Sequence, residues 1–184
     1  FKAMLNAHIE SGADVTLAYA QEEIPEGLIK PFDVNKDLYY TLDIEDGRVR
    51  EIQINPEEPG IQNLSLNIYI IERELLISQI SAAFVRGYVY FERDILAPQL
   101  DKLNVRGYKF GGYIARISSI KSYFDENMKL LDEENLDALF GGNHIYTKIR
   151  DDNPTRYIKG AKAKNIMAAD GCIIEGEVEN SVLF

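Results

Sequence analysis

Residues 166–184, IMAADGCIIEGEVENSVLF, decide how this chain is read. Apolar residues recur there every six positions, at Ile166, Cys172, Val178 and Phe184, with Gly171 and Gly176 between them. A helix repeats near 3.6 residues and a simple strand near 2, so neither explains the spacing. A period of six with glycines at the turns suits a hexapeptide β-helix, whose short strands each send one residue inward. The expectation is the beginning of such a β-helix over 161–184. The opening on Phe1 instead of Met, and the stop on an apolar residue in mid-pattern, read as the ends of a piece of something longer.

Working outward, 184 residues suffice for one ordinary domain, or for a domain and the start of a second. A hydrophobic content of 46% with 27% charge is that of a soluble globular protein. The formal net charge of −10 argues against nucleic-acid and anionic-membrane partners, which need clustered Lys and Arg. One cysteine excludes an internal disulfide and a cysteine metal cluster. Cys172 fills an apolar slot of the six-residue pattern, which makes it a small buried hydrophobe and not a nucleophile. No apolar run approaches the ~20 residues of a membrane span. Nothing reads as a signal peptide, so a cytoplasmic location is the default.

Along the chain, residues 1–12 place Phe1, Met4, Leu5, His8 and Ile9 on one helical face closed by Gly12. Residues 14–20 read as a strand, and 21–37, with Pro25, Gly27 and Pro31, as a loop. LYYTLDIEDGRVREIQI alternates around Asp46–Gly47, the strongest hairpin signal present. Pro56, Pro59 and Gly60 mark another loop. Residues 64–71 suit a buried strand, 72–85 a helix, and 91–102 a second helical stretch with Pro98 as a possible break. Residues 105–117 are strand-like, Ser118 or Ser119 can cap the next helix, and 132–140 suit one more. Strands alternating with helices around one hairpin predict an α/β fold with a mixed sheet over 1–140. The polar stretch 141–160 is expected to be a linker into the six-residue repeats.

Three stretches, taken in order, resemble one family. ADGCIIEGEVENSVLF (169–184) resembles the start of the β-helix of the glucose-1-phosphate adenylyltransferases, or ADP-glucose pyrophosphorylases. GGYIARISSIKSYFDENMKLLD (111–132) resembles the segment that ends that family's sugar-phosphate pocket, and MLNAHIESGADVTLAY (4–19) the segment after its Gly-Asp metal motif. The resemblance implies the C-terminal part of a Rossmann-like nucleotidyltransferase domain, followed by a left-handed parallel β-helix. It also implies an absence. The family's glycine-rich nucleotide loop and Gly-Asp segment would precede Phe1, so this chain alone is expected neither to bind ATP nor to be active.

The resemblance locates a sugar-phosphate pocket and shows it altered. Where catalytic members carry Glu-Lys-Pro after the hairpin, this chain has Ile54, Asn55 and Pro56, losing the lysine's charge. Where they carry Trp-Arg-Asp, it has Ile114, Ala115 and Arg116, a cation in place of a magnesium ligand. The Asp-Phe-Gly-Lys-Asp pattern reads Tyr90-Phe91-Glu92-Arg93-Asp94. Ser65 matches the serine of a Ser-Met-Gly strand, with Leu66 and Asn67 departing. Ser65 and Phe91 are thus the expected remnants of substrate binding. Ile54, Asn55, Tyr90, Ile114 and Arg116 are the departures. No catalytic and no metal-ligating residue is expected, although the family's catalytic subunit uses magnesium.

Other candidates have plain readings. Asp132, Glu133 and Glu134 suit a solvated helix start, and His8 a packed position. His144 lies in a polar loop with no nucleophile at useful spacing. Tyr39, Tyr40, Tyr88, Tyr90 and Tyr113 are expected on strands, and Lys159, Lys162 and Lys164 in a solvated linker. The altered pocket is similar to that of GlgD-type subunits, which modulate a catalytic GlgC-type partner in a hetero-oligomer. The rivals are an active enzyme with an atypical pocket and a purely structural module. Unpaired strand edges would make the fragment self-associate.

Overall fold

The first helix, α1 (Lys2–Ser11), ends at Gly12 as expected, with the Gly12 N–H donating to the Ile9 carbonyl and the Ala13 N–H to the His8 carbonyl. The structure is a computed structural model that describes residues 1–24, 39–56, 60–117, 119–142, 145–146, 148 and 151–184. Pro25, Gly27, Pro31, Pro59, Ser118 and His144, all read in the sequence, lie outside the described residues. The chain divides into two units, Phe1–Gly111 and Gly112–Phe184.

In the first unit, β1 (Val15–Glu23) is followed by β2 (Tyr40–Glu45) and β3 (Arg48–Ile54), joined through Asp46–Gly47. Both turn residues have positive φ, 51° and 76°, which an Asp-Gly pair tolerates and which matches the twist of a tight hairpin. Next come β4 (Ile61–Ile71), α2 (Arg73–Arg86) and β5 (Val105–Lys109). β1 pairs antiparallel with β4 and parallel with β5, so the sheet is mixed. It also closes on itself in the order β1-β4-β2-β3-β5, through Thr41 opposite Leu64 and Arg48 opposite Arg106. Val15, Leu17, Leu42, Val49 and Val105 form its interior with Leu96 and Leu100. Gly107 is required there, because a Cβ at that position would lie 2.6 Å from Ile44 Cδ1.

The expected helix over 91–102 is not an α-helix. Phe91–Leu96 is a π-helical turn and Ala97–Gln99 a 3₁₀ turn. Pro98 has no N–H to offer a carbonyl four residues back, and the Gln99 side chain donates instead to the Ile95 carbonyl, at 2.8 Å. The expected strand over 105–117 ends at Lys109. Consequently Tyr113 is not on a strand, and neither are Tyr88 and Tyr90, which follow α2; among the five tyrosines only Tyr40 is, with Tyr39 just before it. Closure of the sheet gives each of β1 to β5 two neighbours, which removes the open-edge argument for self-association from the first unit.

In the second unit, α3 (Ile120–Lys129) is capped by Ser119 in a reciprocal box with Ser122. Helix α4 (Glu133–Phe140) is capped by Asp132, whose carboxylate accepts from the Glu134 and Asn135 N–H groups. That accounts for the acidic run as a helix start. β6 (Arg156–Tyr157), inside the stretch expected to be linker, pairs parallel with β8 (Ile173–Ile174). β7 (Lys162–Ala168) pairs parallel with β9 (Glu177–Leu183). Lys162 and Lys164 are exposed, as expected, but lie on β7 and not in a linker; they form ion pairs with Glu177 and Glu179, and Asn165 donates to Asn180 at 2.8 Å. In this register Ile166 faces Ser181 and not Phe184, which is 81% exposed. Cys172 is half-buried. No helix among the described residues is long and apolar enough to cross a membrane.

Candidate functional site

The pocket positions of the first unit are set by one irregularity in β4. Leu17 pairs with Tyr69 and Tyr19 with Ser65, so Leu66, Asn67 and Ile68 bulge opposite Ala18. The bulge needs a residue at φ 55°, and Asn67 occupies it. Asparagine is among the few side-chain-bearing residues that enter this region readily. The exchange of the family's glycine for Asn67 therefore keeps the backbone shape. Ser65 Oγ stabilises the bulge by accepting from the Asn67 N–H, at 3.2 Å.

Ser65 has a second duty. Its hydroxyl donates to Glu92 Oε1 at 2.7 Å, and both residues are 2% exposed. Burial pushes the Glu92 carboxyl above its ordinary value, while hydrogen bonding from the Tyr69 and Ser65 hydroxyls pulls the other way. Burial, followed by the charge of Glu92, pushes the Tyr69 hydroxyl up strongly and that of Tyr40 up to about 12. Phe91 packs edge-on against Tyr69, with ring centroids 5.1 Å apart. The structure thus brings together the two expected remnants, Ser65 and Phe91, around a carboxylate that sequence reasoning did not single out. The signal for it was present: Glu92 stands where the family pattern has glycine.

The neighbouring turn is held by Asp94, which accepts from the Val89 and Tyr90 N–H groups, each at 2.9 Å. Arg93 lies beside it at 2.6 Å and also stacks over the Tyr90 ring at 4.3 Å. The Arg93 hydrogen bond first, then the two backbone N–H groups, hold the Asp94 carboxyl well below the usual range. Tyr90, a departure from the family, is therefore the platform for the retained basic residue.

Asn55 is turned into the fold. Its Oδ1 accepts from the Tyr39 N–H at 2.9 Å, while its own N–H donates to the Tyr39 carbonyl at 3.0 Å. The Tyr39 hydroxyl donates to the Pro56 carbonyl at 2.6 Å. A lysine has no acceptor and could not close this ring of bonds. Asn55 also has φ 47°, again a position that asparagine tolerates. Ile54 precedes it, 39% exposed. Ile114 and Arg116 belong to the second unit, where both are half-buried. In that unit the Tyr113 hydroxyl donates to Glu126 at 2.6 Å, and this bond, ahead of burial, pushes it up to about 12.

A magnesium ion needs carboxylate oxygens. The described residues contain no group of three His, Cys, Asp or Glu side chains placed to hold a metal. At the position where the resemblance implies an aspartate, the chain has Arg116.

Similarity to known proteins decides the lineage. Over 138 residues, 74% of the chain, it is 33% identical to the glycogen biosynthesis protein GlgD of Bacillus subtilis (strain 168). Over its whole length it is 31% identical to the glucose-1-phosphate adenylyltransferase of Geobacillus stearothermophilus. The chain is a homologue of the glucose-1-phosphate adenylyltransferases and of GlgD. A 59-residue stretch reaches 51% identity with the GlgD of Geobacillus stearothermophilus. The chain spans 40% of the Bacillus GlgD and 46% of the Geobacillus adenylyltransferase, less than half the length of either relative. No protein-family model matches it.

Proposed function

We propose that this chain is part of a regulatory, non-catalytic subunit of ADP-glucose pyrophosphorylase, acting in bacterial glycogen synthesis beside a GlgC-type catalytic subunit. The reaction in question joins ATP and glucose 1-phosphate to give ADP-glucose and diphosphate. The observation that carries the reading is the commitment of the pocket residues to the fold. Asn55 Oδ1 accepts from the Tyr39 N–H and the Ser65 hydroxyl donates to Glu92, so both side chains are engaged in the fold. Arg116 in place of a metal ligand supports it further, as does the likeness to proteins named GlgD.

The full-length protein, assayed alone for ADP-glucose formation, is expected to stay at background, and to change the rate or effector response of a GlgC-type partner when mixed with it. The paired reversal Asn55→Lys with Arg116→Asp is expected to raise its own activity. Substantial turnover by the unaltered protein alone sinks the proposal. It would favour the second reading, an active nucleotidyltransferase with an atypical pocket, which the 31% identity to an adenylyltransferase over the whole chain supports.

We read residues 156–184 as the opening of a left-handed parallel β-helix that serves assembly. The support is two parallel ladders, β6 with β8 and β7 with β9, in strands separated by turns at Gly171 and Gly176. Side chains also stack in kind across β7 and β9: Lys on Glu twice, and Asn165 on Asn180. The edge of β9 away from β7 would then receive the next coil.

A further inference from the structure

We propose that Glu92 is an internal occupant of the pocket that Ser65 and Phe91 mark, and that its side chain competes there with a sugar ligand. This rests on the reading of that pocket as a sugar-phosphate site. It adds a residue that restricts the site by filling it, independently of the changes at Asn55 and Arg116.

A hydroxyl has one hydrogen to donate. That of Ser65 goes to Glu92 Oε1 at 2.7 Å, while its oxygen accepts from the Asn67 N–H at 3.2 Å. The Tyr69 hydroxyl also donates to the Glu92 carboxyl. The bulge in β4 is what brings the two donors together. Residues four apart on a regular strand are separated by about 13 Å. Here Ser65 lies opposite Tyr19 and Tyr69 opposite Leu17, positions only two apart on β1, which shortens the separation to about 7 Å. Both hydrogens then converge on one carboxyl group. While it is in place, neither is available to a ligand oxygen.

The carboxyl is delivered by a fixed turn. Glu92 belongs to the π-helical turn Phe91–Leu96, which Asp94 secures by accepting from the Val89 and Tyr90 N–H groups. Its neighbour Phe91 packs edge-on against Tyr69, with ring centroids 5.1 Å apart. Ser65 and Glu92 are each 2% exposed, so solvent does not reach the serine past the glutamate. Without the Glu92 side chain, the space it leaves is bounded by two hydroxyl donors and the Phe91 ring. An apolar lining with a few placed polar groups suits a sugar, whose hydroxyl oxygens accept at its rim and whose C–H groups lie on an aromatic ring. The glycine that the resemblance implies at this position has no side chain to put there.

The test is isothermal titration of the full-length protein with glucose 1-phosphate. Glu92→Gly is expected to bind it at least about tenfold more tightly than the unaltered protein, the effect of two hydroxyl hydrogen bonds regained. Glu92→Gln keeps an occupant of the same shape, whose amide oxygen accepts the Ser65 hydrogen, and is expected to bind as the unaltered protein does. Adding Ser65→Ala to Glu92→Gly is expected to take back about threefold or more of the gain. Glu92→Ala stands in should Glu92→Gly fail to fold by circular dichroism. Binding by the folded Glu92→Gly or Glu92→Ala protein no tighter than that of the unaltered one overturns the proposal. So does an equal gain in Glu92→Gln, or a gain that Ser65→Ala leaves untouched. Tighter binding without ADP-glucose formation supports it, since Asn55 and Arg116 are unchanged. The two readings separate: an unaltered protein that forms no ADP-glucose, with a Glu92→Gly variant that gains no binding, leaves the non-catalytic reading standing and removes this one.

Discussion

Glu92 and Asn55 both have side chains engaged in hydrogen bonds within the fold. Burial holds the Glu92 carboxyl above its ordinary value of 4.5, so folding disfavours its ionisation. The sign follows from linkage: the stability this group contributes is complete below the unfolded value and is lost as pH rises through the folded one. Glu92→Gln keeps the shape and cannot ionise. Its stability relative to the unaltered protein is therefore expected to rise as pH increases above the ordinary value of 4.5, by urea denaturation at each pH. A difference that does not change with pH would show that the fold does not shift the Glu92 carboxyl. Asn55 was legible as a departure from a family pattern, but its partner was not. Tyr39 and Asn55 meet only because β2 and β3 pair, and no spacing rule for isolated residues reports that.

Among the elements, those governed by local chemistry were legible. The hairpin at Asp46–Gly47, the Ser119 cap and the Asp132 cap follow from turn and cap preferences acting within a few residues. The bulge in β4 was not legible, because it depends on how β1 and β4 register across the sheet. It carries a prediction. Asn67→Ala forces an alanine into the left-handed region at φ 55° and is expected to cost about 1–2 kcal/mol. Asn67→Gly is expected to be tolerated to within a few tenths of that scale. Equal losses for both in denaturant titrations would mean that the asparagine side chain, not the backbone, matters. The stretch 91–102 has helical apolar spacing, yet Asp94, accepting from the Val89 and Tyr90 N–H groups, and Pro98 lie in a wider and then a tighter turn.

For the first unit as a whole, closure of the sheet is the governing fact. Its five strands surround one interior, in which Leu17 is wholly enclosed. Leu17→Ala is expected to destabilise the unit by about 2–5 kcal/mol, the range for a leucine that leaves a cavity. Urea denaturation checks it, and a loss below about 1 kcal/mol would mean that the strands part easily around that position. Closure does not cover everything. Phe84 and Val85 of α2, and Val89 after it, remain 75–87% exposed, a larger apolar surface than a solitary helix usually shows.

The sequence by itself determined the lineage, the hairpin and the helix caps. These depend on residue type and on neighbours a few positions away, and such information is written along the chain. Only the tertiary structure decided that the sheet closes, that Glu92 is buried against Ser65, and that β7 and β9 stack Lys on Glu. Each of these joins residues remote in sequence, where register and burial set the outcome. The six-residue spacing of Ile166, Cys172, Val178 and Phe184 pointed to short strands and turns. The ladder itself placed Ile166 beside Ser181, because backbone pairing and the matching of Asn165 to Asn180 outweighed the apolar period.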